Sequence, residues 1–257
     1  MTRRRAASEL GGDRVEGRQA VRELLTAGRR LVRTIWLARD RSRELDELIE
    51  LAGRQGAAVH RVDRDQLAEL ARTEAPQGVV AQADPIEAAR FDALLAAPAT
   101  FLVGLDGVTD PQNLGAILRT AEVTGATGVV LPRHRAARVT PAAAKAAAGA
   151  IEYLPIATVG GMPAAIAQAE RASVWTVGLD ADANVTVDDL AVADRPLMLV
   201  LGAEGSGLSR LARERCDVVA RIPMRGNVAS LNVASAAAIA CATIARLRHA
   251  SLGAPPE

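Results

Sequence analysis

Phe101-Leu102-Val103-Gly104-Leu105 runs directly into Asp106-Gly107-Val108-Thr109-Asp110-Pro111-Gln112-Asn113, and Leu114-Gly115-Ala116-Ile117-Leu118-Arg119-Thr120-Ala121 follows. Apolar residues without polar alternation are the pattern of a strand buried on both faces, which is the position of a strand in a parallel sheet covered by helices. The polar turn after it leads to a helical pattern, read here as a helix over Ala116–Val123. The same unit recurs downstream. Thr127–Leu131, Val174–Leu179 and Leu197–Leu201 read as further buried strands, Ala220-Arg221-Ile222-Pro223 as a shorter one, and Ser230–Arg248 as a long terminal helix. Strands alternating with helices predict an α/β fold with a parallel sheet.

The region before this block has a different grain. Val15–Gly28 carries Val21, Leu24 and Leu25 at helical spacing and stops at a glycine. Thr34–Ala38 reads as a strand and Ser42–Gly53 as a charged helix with Leu45, Leu48, Ile49 and Ala52 on one face. The strand Ala57–Val62, the helix Arg64–Ala71 and the strand-like Gly78–Ala81 complete a small α/β domain. The expected organisation is a disordered basic tail over 1–13, the small domain over 14–84, a linker with a short helix over 85–99, the large domain over 100–250, and a disordered tail over 251–257.

Composition narrows the partners. The 257 residues hold 31 basic and 30 acidic side chains, so attraction to a polyanion must come from how charge is placed. Arg133, His134, Arg135, Arg138 and Lys145 form one block without an acid, and the segment Arg3–Arg33, with Arg18 in it, is also net basic. Such blocks suit phosphate neutralisation, although a solvated face accounts for either run taken alone. No apolar stretch reaches the roughly 18 residues of a membrane span, and no signal peptide follows the basic start, so a cytoplasmic protein is expected. Cys216 and Cys241 lie in no CxxC pair and near no histidine at ligand spacing, which argues against a metal site.

Three constellations carry the chemistry. The turn Asp110–Asn113 sits beyond the carboxyl end of a strand, where α/β proteins place their sites, and Arg119 follows within two helical turns. From the residues alone, turn chemistry plus a surface arginine explains this equally well. Leu201-Gly202-Ala203-Glu204-Gly205-Ser206-Gly207-Leu208 again follows a buried strand. It is no dinucleotide fingerprint: the spacing is not GxGxxG, and Glu204 places negative charge where a pyrophosphate would sit. Ile222-Pro223-Met224-Arg225-Gly226-Asn227-Val228-Ala229-Ser230-Leu231-Asn232-Val233-Ala234-Ser235 puts Ser230 at a favoured capping position. It also puts Asn232 in an apolar helix, where a buried amide needs a partner.

Together these segments closely resemble, in order, the signature motifs of the SpoU (TrmH-like) family of the SPOUT superfamily. The stretch from Thr140-Pro141 through Lys145 to Ala148-Gly149-Ala150-Ile151-Glu152 is similar to that family's connecting region, so the resemblance covers about Phe101 to Arg248. The N-terminal part, from Glu16-Gly17-Arg18-Gln19-Ala20-Val21 to Gln77-Gly78-Val79-Val80, is similar to the small, L30e-like substrate-binding domain of ribosomal members.

The resemblance implies an S-adenosylmethionine-dependent RNA 2′-O-ribose methyltransferase with a trefoil-knotted catalytic domain, acting as a two-fold homodimer on structured RNA without a metal. It implies that Leu201, Gly202, Ile222, Met224 and Leu231 contact the cofactor and that Asn113, Arg119, Glu204, Ser230 and Asn232 form the active site. Arg119 stays protonated in proteins, so its expected work is to hold a phosphate and stabilise charge developing on the 2′ oxygen, not to remove the proton. Arg18, Arg133, Arg135, Arg138 and Lys145 are the expected RNA contacts. With aromatic residues at 2% of the chain, shape and phosphate contacts are expected to dominate over base stacking. A guanosine of large-subunit rRNA is the first expectation, transfer RNA or an antibiotic-resistance site on rRNA the second, and a non-catalytic RNA-binding assembly factor the remote one.

Overall fold

The structure, a computed structural model, describes residues 10–40, 42–134, 136–227 and 230–251. The chain divides into two compact units, one of residues up to Ala88 with Leu114–Arg119 and Arg138–Tyr153, the other of Ala89–Asn113, Thr120–Ala137 and the chain from Leu154 onward.

In the first unit, β1 (Arg14–Glu16), α1 (Arg18–Ala27), β2 (Val32–Ala38), α2 (Arg43–Arg54), β3 (Ala58–Val62), α3 (Arg64–Leu70) and β4 (Val79–Ala83) follow one another. The four strands form a mixed sheet in the order β1-β4-β2-β3. Helix starts are set by side chains: Ser42 accepts from the Leu45 N–H, and Asp63 and Gln66 form a reciprocal capping box on α3. Helix α1 ends at Gly28, as expected, and Gly28 takes the left-handed conformation that glycine adopts without strain. Val15, Ile35, Leu37, Val79 and Ala81 pack on Leu24, Leu25, Leu45 and Leu48 to make its core. A buried ion pair belongs here too: Arg30 binds Glu152 through two nitrogens (2.9 and 2.5 Å) and also donates to the carbonyls of Gly12 and Asp84.

The terminal tail differs from the expectation. Leu10–Asp13 are not disordered, because Leu10 and Gly12 donate to Ile86 and Val139, while Gly11 and Asp13 accept from Ile86 and Ala83. Residues 1–9 and 252–257, on which the rest of the tail expectations fall, lie outside the described residues.

The second unit contains α4 (Phe91–Leu95), β5 (Phe101–Asp106), β6 (Gly128–Pro132), β7 (Ile156–Val159), α7 (Met162–Arg171), β8 (Trp175–Leu179), β9 (Val185–Thr186), β10 (Leu197–Gly202), α8 (Arg210–Arg215), β11 (Val218–Arg221) and α9 (Val233–Ser251). Between β5 and β6 runs α5 (Pro111–Val123), and between β6 and β7 runs α6 (Pro141–Ala146). Seven strands pair in the order β7-β6-β5-β10-β8-β11-β9, every pair parallel. Their covered faces hold Leu102, Val130, Met162, Ile166, Met198 and Val200. The expected linker is partly core: Phe91, Leu94 and Leu95 are buried, and the Ala89 N–H bonds the Ile156 carbonyl.

Two boundaries move, and both moves matter for the site. Helix α5 starts at Pro111, not Ala116, because Asp110 caps it by accepting from the Gln112 and Asn113 N–H groups and proline at the first position is pre-set for a helix. Asn113 therefore lies in the first turn of a helix. Helix α9 starts at Val233, not Ser230. Asn232 caps it, with its side-chain oxygen accepting from the Ala234 N–H (2.8 Å) and its carbonyl from the Ala236 N–H.

Candidate active site

Register brings the strand ends level. Gly202 of β10 pairs with Asp106 of β5, Val200 with Gly178 of β8, and Ala220 of β11 with Leu179. The segments leaving these carboxyl ends converge, as the α/β rule requires of a ligand site. Between them is a cavity of about 290 Å³, near the lower end of small-molecule sites.

Three segments line it: Leu179–Asp182 after β8, Leu201–Gly207 at the end of β10, and Ile222, Met224, Ser230, Leu231, Val233 and Ala236 around the entry to α9. The middle segment is a closed loop, in which Ala203 and Gly207 exchange two backbone hydrogen bonds of 2.9 Å each. Glycine at 202 makes the closure possible. A Cβ there would stand 2.1 Å from the carbonyl carbon of Gly207 and 2.3 Å from the Leu208 nitrogen, both of them backbone atoms. Gly205 and Gly207 take positive φ values of 79° and 64°, which complete the turn.

Beside the cavity a side-chain network joins three distant segments. Asn113, nearly buried, donates its amide to Glu204 (3.2 Å) and accepts from the amide of Asn232 (3.1 Å). Thus the amide of Asn232 has its partner as expected, but Asn232 itself is exposed and caps the helix instead of lying inside it. Ser230 is not the cap; it lines the cavity.

Among the described residues the cavity wall carries Asp180, Asp182 and Glu204, and no basic or aromatic side chain. Asp180 is neutralised in part by Arg213, whose Nε donates to it at 3.0 Å. Apolar Leu201, Ile222, Met224 and Leu231 supply the rest, with Met224 and Leu231 still 37% and 40% exposed. A ligand that is largely apolar and carries positive charge suits this wall; a polyphosphate does not. Asp180 and Asp182 are not among the residues that the motifs single out. The signal was present, since Leu179-Asp180-Ala181-Asp182 leaves a buried strand just as Leu105–Asp110 does.

Of the expected active-site residues, Asn113, Glu204, Ser230 and Asn232 fall together. Arg119 is exposed and bonds to none of them. Six positions along α5 turn it by about 600°, so it points roughly 120° away from Asn113 around the axis and lies about 9 Å further along. Every expected cofactor residue lines the cavity. The expected RNA contacts separate: Arg133 and Arg138 are exposed, whereas Arg18 is bonded to Glu44 and to the Gln77 carbonyl, and Lys145 donates to the Ala75 carbonyl at 2.5 Å. Those last two side chains therefore hold the first unit together. Arg135 lies outside the described residues. Among the described residues no His, Cys, Asp and Glu group could hold a metal ion, and no helix is long and apolar enough to cross a membrane.

Residues 100–242 match the SpoU rRNA Methylase family model, and residues 14–89 match that of the RNA 2′-O ribose methyltransferase substrate-binding domain. YacO of Bacillus subtilis (strain 168), named for the TrmH family of tRNA/rRNA methyltransferases, is 38% identical over 92% of this chain and 96% of its own. An uncharacterized tRNA/rRNA methyltransferase of Mycolicibacterium vanbaalenii is 40% identical over 92% of this chain and 77% of its own. The solved SpoU methyltransferase AviRb from Streptomyces viridochromogenes superposes with a TM-score of 0.79 at 28% identity, covering 97% of this chain and 93% of that one. Its complex with the cofactor AdoMet gives 0.78 at 28% identity, over 92% and 90%.

Proposed function

The chain belongs to the SpoU rRNA methylase family and is an RNA methyltransferase that uses S-adenosylmethionine, and from this premise we propose that it methylates a ribose 2′-hydroxyl in structured RNA, at a guanosine of large-subunit rRNA. The observation that carries the site assignment is the cavity at the carboxyl ends of β8, β10 and β11, walled by glycine-rich backbone and carboxylates and flanked by the Asn113–Glu204–Asn232 network.

The residues present fit the cofactor. The apolar side chains Leu201, Ile222, Met224 and Leu231 and the loop closed at Gly202 would hold its nucleoside, and the carboxylates of Asp180, Asp182 and Glu204 match a cation. When bound, the cofactor supplies a methyl group already activated by a sulfonium charge. What remains for the protein is alignment and charge. The Asn113–Glu204–Asn232 set fixes the first turn of α5 against the entry to α9, so that the cavity wall is ordered before RNA arrives. Arg119 binds the phosphate beside the target ribose and stabilises charge developing on its 2′ oxygen, while phosphate or water accepts the proton. Arg133 and Arg138 add phosphate contacts.

A two-fold homodimer, a trefoil-knotted chain path and a cytoplasmic location belong to the same reading. Support for the dimer is that Arg119 stands apart from the Asn113 set and that α9 leaves Ala238, Ile239 and Ala242 exposed. The deciding experiment maps 2′-O-methylated nucleotides in total RNA from cells with and without this gene. One guanosine of large-subunit rRNA is expected to lose its mark. A lost mark in transfer RNA moves the substrate; loss of a base methylation instead of a ribose one refutes the reaction.

A further inference from the structure

The four-stranded sheet of the first unit buries one face and leaves half of the other open. Cross-strand partners share a face, so Arg14, Gln82, Thr34 and Ala58 form one row and Trp36 and His60 stand in the next. Val80 stands in that same row beside Trp36 and, with Ala38 and Leu67 of α3, closes a small apolar cluster against which Trp36 and Val62 pack. Ala58 and His60 are exposed, and Arg14, Gln82, Thr34 and Trp36 are half-buried.

Two features set this open half apart from an ordinary solvated sheet. The guanidinium of Arg14 lies over the indole of Trp36, 5.4 Å from the ring centroid, and is held there by its bond to the Leu70 carbonyl (3.1 Å). The chain has only two tryptophans, and here one lies under a cation that is itself held in place. Around it, Thr34, Gln82 and His60 offer a hydroxyl, an amide and an imidazole with no partner among the described residues. Glu16, in the row of Trp36, is fully buried and consumed by the Arg72 and Thr73 N–H groups and the Thr73 hydroxyl. At the β2 bulge, the exposed Arg33 holds Asp84. The open half thus offers a guanidinium over an indole, fringed with hydrogen-bonding groups, which complements a nucleobase with its phosphate.

We propose that an unpaired nucleotide of the RNA substrate stacks on the Arg14–Trp36 pair, with Thr34, Gln82 and His60 meeting the base edge. The proposal deepens the RNA reading above and rests on it. Stacking of one base on an aromatic or guanidinium plane is a recurrent way to hold RNA outside a helix. It also modifies the composition argument: few aromatics exclude a long stacking array, but a single platform needs only one.

Trp175→Phe leaves Trp36 as the sole indole, so its emission reports this face directly. Titration of that variant with a single-stranded heptaribonucleotide of mixed sequence is expected to quench Trp36 saturably, whereas a fully paired duplex of equal length does not. In binding followed by anisotropy of labelled RNA, Arg14→Ala and Trp36→Leu are each expected to weaken the single strand about tenfold or more, while Trp36→Phe retains most of the affinity. Unchanged Trp36 emission on RNA binding, equal quenching by the duplex, or full affinity of a folded Trp36→Leu overturns the proposal, and leaves the face to a protein partner. S-adenosylmethionine binding by the same samples separates the two levels. Cofactor binding without Trp36 quenching sinks only the platform, whereas loss of cofactor binding in the parent chain sinks the reading of the cavity.

Discussion

Replacing Gly202 by alanine tests whether the cavity depends on the closed loop that follows β10. The added methyl would sit 2.1 Å from the Gly207 carbonyl carbon, 2.3 Å from its oxygen and 2.3 Å from the Leu208 nitrogen. All three are backbone atoms, so no rotamer change relieves the clash, and the returning backbone must retreat by roughly 1.5 Å to reach ordinary contact. The paired bonds between Ala203 and Gly207, each 2.9 Å, do not survive that retreat. At about 1 kcal/mol per bond the closed loop becomes about 2 kcal/mol less favourable, which is roughly a thirtyfold loss of cofactor affinity. Gly205→Ala is the matched control, because its Cβ meets nothing within 4 Å and it suffers only the strain of its positive φ, about 1 kcal/mol. Calorimetric titration of S-adenosylmethionine into both variants, with far-ultraviolet circular dichroism to show that they fold, gives the answer. A folded Gly202→Ala protein within threefold of the parent, or one no weaker than Gly205→Ala, refutes the idea that loop closure shapes the site.

Other perturbations test other parts of the argument. Arg119→Ala is expected to slow single-turnover methylation at least about a hundredfold with cofactor affinity unchanged, since its side chain is absent from the cavity wall; a parallel loss of affinity would contradict its role. Arg30→Ala leaves Glu152 buried without its cation and is expected to cost the first unit about 3–5 kcal/mol, read as a lower urea midpoint, with a near-neutral result arguing that the pair is dispensable. Burial pushes the thiols of Cys216 and Cys241 from the ordinary 9.0 up to about 12. The folded chain therefore keeps two protons that the unfolded chain releases between those values, so their contribution to stability is present below about pH 9 and is lost as pH rises toward 12. A Cys216→Ser, Cys241→Ala double variant should flatten that alkaline decline in the urea midpoint, and equal slopes would count against it.

The local signals were read from short windows, and they succeeded where the physics is local. Apolar runs mark β5 and β10, and β8 with its single Thr176; a glycine marks the end of α1, and glycines without a GxGxxG spacing exclude a dinucleotide turn. Boundaries differ from the sequence pattern where a single side chain moves them. Asp110 extended α5 back over Pro111–Asn113, and Asn232 shortened α9 to Val233. The sequence pattern also passed over Ile156–Val159, which became the edge strand β7, and the wall residues Asp180 and Asp182.

What the amino-acid order determined alone was the kind of elements, their alternation and the motifs that carry the family resemblance. What only the folded chain decided was which of them meet. Asn113 finds Glu204 across 91 positions and Asn232 across 119, because β10 inserts between β5 and β8 and carries its loop to the carboxyl edge they share. A strand announces itself through the burial of its own side chains, but its neighbours in a parallel sheet are chosen by packing among segments far apart in the chain, and no local pattern encodes that choice.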